Sequence, residues 1–281
     1  MTDPPASAPI PDDAGDTRGM HFRRLIRHPV TLVVGGLALV GTGVAVGVGV
    51  GPLFGLIGAA AVLVLVLVLV LANKAAAADF FRAYAAGRSL AWNSGRTPVP
   101  PATPLLRKGD DRYVEEAFAG TLPGGANGTL ALYTYEEEST DSKGNRNTTY
   151  VHFTVAMFDL PETASFVNEL DCQRRVGLRA LDHAEDAFRT RQRVELESDA
   201  LDTRYEIFAG QHDDMNRVHQ VFEPSFIVWL ADEAPREFAF ELAAGALVVN
   251  VKGHKKTAVE LDAICNAGSR IAARLSDEAR E

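Results

Sequence analysis

The chain has 281 residues, a net charge of −9 and two cysteines. That length allows a membrane segment and one domain large enough to bury its own core. The acidic balance argues against general nucleic-acid binding, which rests on neutralising phosphates. Cys172 and Cys265 fit neither a disulfide framework nor a metal-ligand spacing, so both are expected as buried thiols.

Residues 1–29 are rich in Pro, Asp and Ala in their first two thirds, too poor in apolar side chains to fold, and are expected as a disordered cytoplasmic tail. Residues 30–72 then contain no Asp, Glu, Lys or Arg. A single membrane span takes ~20 apolar residues, and this run is about twice as long. Gly49-Val50-Gly51-Pro52 interrupts it with flexible glycines and a proline that lacks a backbone donor. Two transmembrane helices are predicted, over 30–50 and 53–72, joined by a short uncharged turn. The Val-Leu alternation of 62–71 favours a strand, but an isolated strand in lipid leaves its backbone unpaired. The run is also too long for the ~7–15-residue core of a signal peptide.

Arg18, Arg23, Arg24 and Arg27 precede the run, and Lys74, Arg82 and Arg88 follow it. The positive-inside rule therefore predicts a multi-pass protein of the inner cell membrane with both termini cytoplasmic. The expected partner is the lipid bilayer. Gly43, Gly47, Gly51 and Gly55 fall four apart, a spacing that lets helices approach closely. It suits contact with a second copy or another membrane protein, packing of the two spans on each other, or simply a glycine-rich composition.

Residues 73–111 are predicted to hold a juxtamembrane helix (74–94) with Phe80, Phe81, Tyr84 and Trp92 at headgroup level. A stiff Pro-rich spacer over 97–104 follows. The remainder, 112–281, is predicted as a cytoplasmic α+β domain: a mainly antiparallel sheet with covering helices. Strands are expected over 115–122, 129–138 and a stretch carrying Val151, Phe153, Val155 and Met157 on one face. A short strand near Leu170 and a helix within 178–188 come next, then strands over 191–197 and 203–209. Helices are expected over 214–222 and from Glu223-Pro224 onward, and a hairpin turns at Ala244-Gly245. The last helix opens on the capping box Thr257–Glu260 and carries Leu261, Ile264, Cys265, Ile271, Ala272 and Leu275 on one stripe.

The order Val194-Glu195-Leu196-Glu197, Arg204-Tyr205-Glu206-Ile207-Phe208, Phe222-Glu223-Pro224-Ser225-Phe226, then Phe238-Ala239-Phe240-Glu241-Leu242 with Gly245 resembles a family of uncharacterised bacterial membrane-anchored proteins. That family is catalogued only as a domain of unknown function. The resemblance covers residues 191–262 and implies membrane spans followed by a cytoplasmic α+β domain. It implies no catalytic or binding residue.

No phosphate-cradling loop, dinucleotide fingerprint or nucleophile elbow is present. His152 is expected on the polar face of its strand near Tyr133 and Tyr135, either as a ligand patch or as a solvated histidine. His212, Asp213, Asp214 and His219 offer metal-ligand types, although an Asp there more simply caps a helix. Glu136, Glu137, Glu138 and Asp141 suit a solvated hairpin tip. Arg174, Arg175, Arg179, Arg189, Arg191 and Arg193, and separately Lys252, His254, Lys255 and Lys256, form basic clusters. These suit either anionic headgroups or charge interspersed with acids. The sequence therefore assigns no catalytic, cofactor or metal residue. It predicts a membrane protein with a binding or scaffold module, the alternative being an enzyme or ligand sensor with a pocket built from distant residues.

Overall fold

The computed structural model describes residues 17, 19–20, 52–140, 142, 144–175 and 191–280. Its contacts divide the chain into two units, one holding Met1–Gly87 with Lys256–Val259 and the other Arg88–Lys255 with Glu260–Glu281. The expected span 30–50 and Gly43, Gly47 and Gly51 lie outside the described residues, as does the helix expected within 178–188.

In the first unit, helix α1 runs unbroken from Pro52 to Gly87. Proline suits its opening because the first helical N–H groups have no partner in any case. Among the described residues, Leu63–Gly87 is the one helix long and apolar enough to cross a membrane by length and composition. Leu63, Leu67 and Leu71 are exposed, whereas Ala76, Phe80, Phe81 and Tyr84 are buried. The separate juxtamembrane helix expected over 74–94 does not form. Alanine-rich sequence carries α1 straight through Lys74, since nothing in it breaks helix hydrogen bonding, and Ala91–Thr97 is strand.

The second unit is built on nine strands among the described residues: β1 (Ala91–Thr97), β2 (Asp111–Thr121), β3 (Asn127–Thr140), β4 (Arg146–Asp159), β5 (Glu169–Arg174), β6 (Arg191–Arg193), β7 (Tyr205–Gly210), β8 (Phe238–Ala243) and β9 (Ala246–Lys252). They form one sheet in the order β1-β2-β3-β4-β9-β8-β5-β7-β6, every pairing antiparallel. The expected α+β class with a mainly antiparallel sheet is thus present. Among the described residues the strands are joined or followed by four α-helices: α2 (Asp199–Arg204), α3 (Met215–Val221), α4 (Pro224–Asp232) and α5 (Ala258–Glu278). The strand expected over 203–209 loses its first two residues to α2, which Ser198 caps through a side-chain bond from Leu201 N.

Directly paired residues share a face of a sheet. One face therefore carries Phe240, Val249, Cys172 and Ile207. Helix α5 covers it, burying Leu261, Ile264, Ile271 and Leu275 as their spacing predicts. Gly268 allows this approach, because a Cβ there would come within 2.6 Å of the Phe158 ring and 2.9 Å of Val249. The β8–β9 turn falls at Ala244-Gly245 with φ of 49° and 84°, the left-handed pair that a two-residue hairpin needs.

The opposite face carries Tyr133, Tyr135, Val155 and Val248, packed with Val99, Leu105 and Leu106. Val99, within the stretch read from the sequence as a spacer, is therefore part of the core, together with Leu105 and Leu106 just after it. Prolines deprive the segment of donors for a sheet, so it lies across a face instead of joining an edge. The compact unit begins at Arg88, ahead of the boundary expected near 112.

Candidate functional site

Central strands β5 and β8 place Asp171 directly opposite Glu241. Both carboxylates project onto the face covered by the 98–108 segment, where they are 2 % and 6 % exposed. Burying charged groups is costly unless each finds a partner. Leu105 N donates to Glu241 Oε2 at 2.8 Å. Asp171 Oδ2 accepts from Arg191 Nη1 at 2.8 Å and from Gln173 Nε2 at 2.6 Å. Asp171 Oδ1 is buried and has no hydrogen-bond partner among the described residues.

These acids line a cleft of about 650 Å³. Phe153, Ala239 and Asn250 contribute to its walls, and Lys108, Arg236 and Lys252 add positive charge. Glu237, also in the lining, holds a left-handed backbone with φ of 62°. Non-glycine residues keep such a conformation only where their surroundings impose it.

Burial, followed by the neighbouring Asp171 charge, pushes the Glu241 carboxyl up to about 7, against the lowering effect of the Leu105 N–H bond. Burial also raises Asp171, while Arg191 opposes the shift. Two acids this close cannot both ionise freely. Asp171 keeps the charge because the guanidinium lies on it, and Glu241 keeps the proton into the neutral range. The cleft therefore offers a carboxylate that Arg191 helps to hold ionised, with one oxygen unbonded among the described residues, beside an acid that titrates near neutrality.

Other residues singled out in the sequence are distributed differently. Arg191 is an internal partner of Asp171 and Glu169, not part of a basic surface. Arg174 lies 5.3 Å over the Tyr205 ring, and Arg179 and Arg189 fall outside the described residues. Lys252 lines the cleft, whereas His254 hydrogen-bonds to Tyr133 O and Thr134. His152 faces Thr134, while Tyr133 pairs with Phe153 and Tyr135 with Val151. The expected company of His152 with the two tyrosines is thus corrected by one residue of register, which inverts the face. Cys172 and Cys265 are both buried.

Asp213 accepts backbone N–H bonds from Asn168, Glu169 and Gly210. Asp214 caps α3 by accepting from Asn216 N at 2.9 Å. Neither joins His212 or His219 in a ligating cluster among the described residues. Asp214→Ala is accordingly expected to cost about 0.5–2 kcal/mol in urea denaturation through loss of the cap. A change in bound metal instead of stability would contradict that role.

The sequence did not single out Asp171 or Glu241. An acid alternating with apolar residues reads as solvent-facing, and only the covering segment makes it interior. Comparison with protein-family models, with curated proteins and with solved structures returns no match, so the residues and their geometry carry the functional reading.

Proposed function

We propose that the chain is a membrane-anchored ligand-binding module whose sheet unit holds a small amine-bearing solute in the Asp171–Glu241 cleft. One observation carries this reading: a buried carboxylate oxygen with no hydrogen-bond partner among the described residues, on an acid that lines a cleft of ligand size. An ammonium or amide donor would satisfy Asp171 Oδ1, and nearby Lys108, Arg236 and Lys252 suit a carboxylate at the other end. Small zwitterions meet both demands. Between the two roles expected from sequence, the cleft favours a ligand sensor over a flat scaffold surface. Glu241, with its carboxyl near 7, also has the titration range of a general acid–base group, which supports the enzyme alternative.

Helix α1 supports the anchor by length and composition, and the flanking arginines and lysine support a cytoplasmic position for the sheet unit. Thermal-shift screening of the detergent-solubilised chain against primary amines and amino acids at pH 7 tests the binding role. Some of these compounds are expected to raise the melting temperature of the wild type by a few degrees and to lose that effect in Asp171→Asn. An amine shift that survives Asp171→Asn, or no shift with any amine, would remove the cleft from consideration.

A further inference from the structure

On the sheet face opposite the cleft, Glu115, His152 and His254 come together, with one ligating atom of each within 4.8 Å of the others. Glu115 sits at a register shift of β2 between Val114 and Glu116. A bulge of this kind adds a residue and re-aims its side chain. Its neighbour Glu116 is held elsewhere, by Trp92 Nε1 at 2.8 Å and Ser94 Oγ at 3.0 Å. His152 comes from β4. His254 comes from the loop after β9, which is pinned to β4: Gly253 N donates to His152 O at 2.7 Å and Lys255 N to Thr154 Oγ1 at 2.9 Å.

Thr134 organises the three. Its hydroxyl donates to Glu115 Oε1 at 2.9 Å and lies 2.9 Å from His152 Nδ1 and 3.3 Å from His254 Nε2. The His254 Nε2–H also has Tyr133 O at 3.1 Å as acceptor. A ring whose Nε2 carries the proton presents a lone pair at Nδ1, and His254 Nδ1 stands 4.0 Å from Glu115 Oε2. That separation is too long for a hydrogen bond. It is a few tenths of an ångström wider than the ~3.3–3.6 Å edge between two ligands of a tetrahedral ion held at about 2.0–2.2 Å, a gap that rotation of the part-exposed Glu115 side chain can close. A ligating histidine whose other nitrogen donates to a backbone carbonyl is the arrangement that fixes tautomer and orientation at metal sites.

We propose that Glu115, His152 and His254 bind a divalent transition ion of the zinc class, with Thr134 and the Tyr133 carbonyl orienting the ligands. Two imidazoles and one carboxylate suit zinc and not the oxygen-preferring magnesium or calcium. The carboxylate side chain is 41 % exposed and that of His254 is 16 % exposed, so the ion has an entry path and a position left for water or a solute. The proposal is independent of the cleft and uses none of its residues.

The test uses the full chain in detergent, stripped with a chelator and titrated with Zn²⁺ against a chromophoric competitor. One zinc per chain is expected, with no competition from millimolar Mg²⁺. Co²⁺ substitution should add visible bands of a low-symmetry site. His152→Ala, His254→Ala and Glu115→Gln are each expected to weaken binding at least about tenfold. The nearly isosteric Glu115→Gln keeps the test open if a histidine variant fails to fold. Absence of saturable zinc binding in the wild type, or unchanged binding in Glu115→Gln and in a folded His152→Ala/His254→Ala double variant, would overturn the site.

Discussion

Replacing Glu241 by glutamine is expected to raise stability at pH 8 by about 3 kcal/mol and to leave it nearly unchanged at pH 4. The folded carboxyl lies near 7 against an ordinary value of 4.5. Between those limits the folded chain keeps a proton that the unfolded chain has released. Stability therefore falls as pH rises from about 4.5 to about 7, and the full loss persists above that window. At about 1.4 kcal/mol for each tenfold change in proton affinity, the loss comes to slightly over 3 kcal/mol. Glutamine still accepts from Leu105 N but has no charge to bury. Asp171, which burial raises and Arg191 holds down, contributes to the slope that remains. Both tryptophans, Trp92 and Trp229, lie in the sheet unit, so urea titrations of the full chain followed by their fluorescence report on it. A wild type that gains stability from pH 5 to 7, or a variant that matches it at pH 8, would contradict the protonated Glu241.

Asp262→Ala should cost about 3–5 kcal/mol, because it strips the carboxylate from a guanidinium held inside the sheet unit. Arg88 Nε meets Asp262 Oδ1 at 2.7 Å and Nη2 meets Oδ2 at 2.5 Å, with the arginine side chain 5 % exposed. The two parallel bonds make this a bidentate pair. Removing both charges together avoids leaving one buried alone. Arg88→Met/Asp262→Leu should therefore recover most of what Asp262→Ala loses. The same fluorescence titrations rank the three chains. A single-variant loss below about 1 kcal/mol, typical of surface pairs, would mean that solvent reaches the guanidinium.

Much of the second unit was readable from residue order because its elements carry strong periodic signals. The α5 stripe from Leu261 to Leu275 and the Phe238–Val251 hairpin each have one buried face, and local spacing reveals it. The spacer expected over 97–104 shows the opposite case. Prolines advertise extended backbone but do not say whether Val99, Leu105 and Leu106 find a surface to cover. The same gap hid the cleft, since Asp171 and Glu241 become interior only beneath Leu105, over 60 residues from one and about twice that from the other in sequence. His152 stands out in the sequence, but its partners Glu115 and His254 depend on a bulge and on a loop pinned to Thr154. Neither feature has a distinctive local composition.

The strand order has a consequence for synthesis. Strand β9 lies against β4, yet it begins nearly 90 residues after β4 ends. At about 5–20 residues per second, the β1–β4 meander waits roughly four to eighteen seconds with the Phe153–Asp159 edge unpaired. During that interval Val155 and Phe158 have no finished core to enter, and an open strand edge invites pairing with other chains. A nascent chain of this design depends on timely release of its last elements, or on a chaperone that shields β4 until β9 arrives.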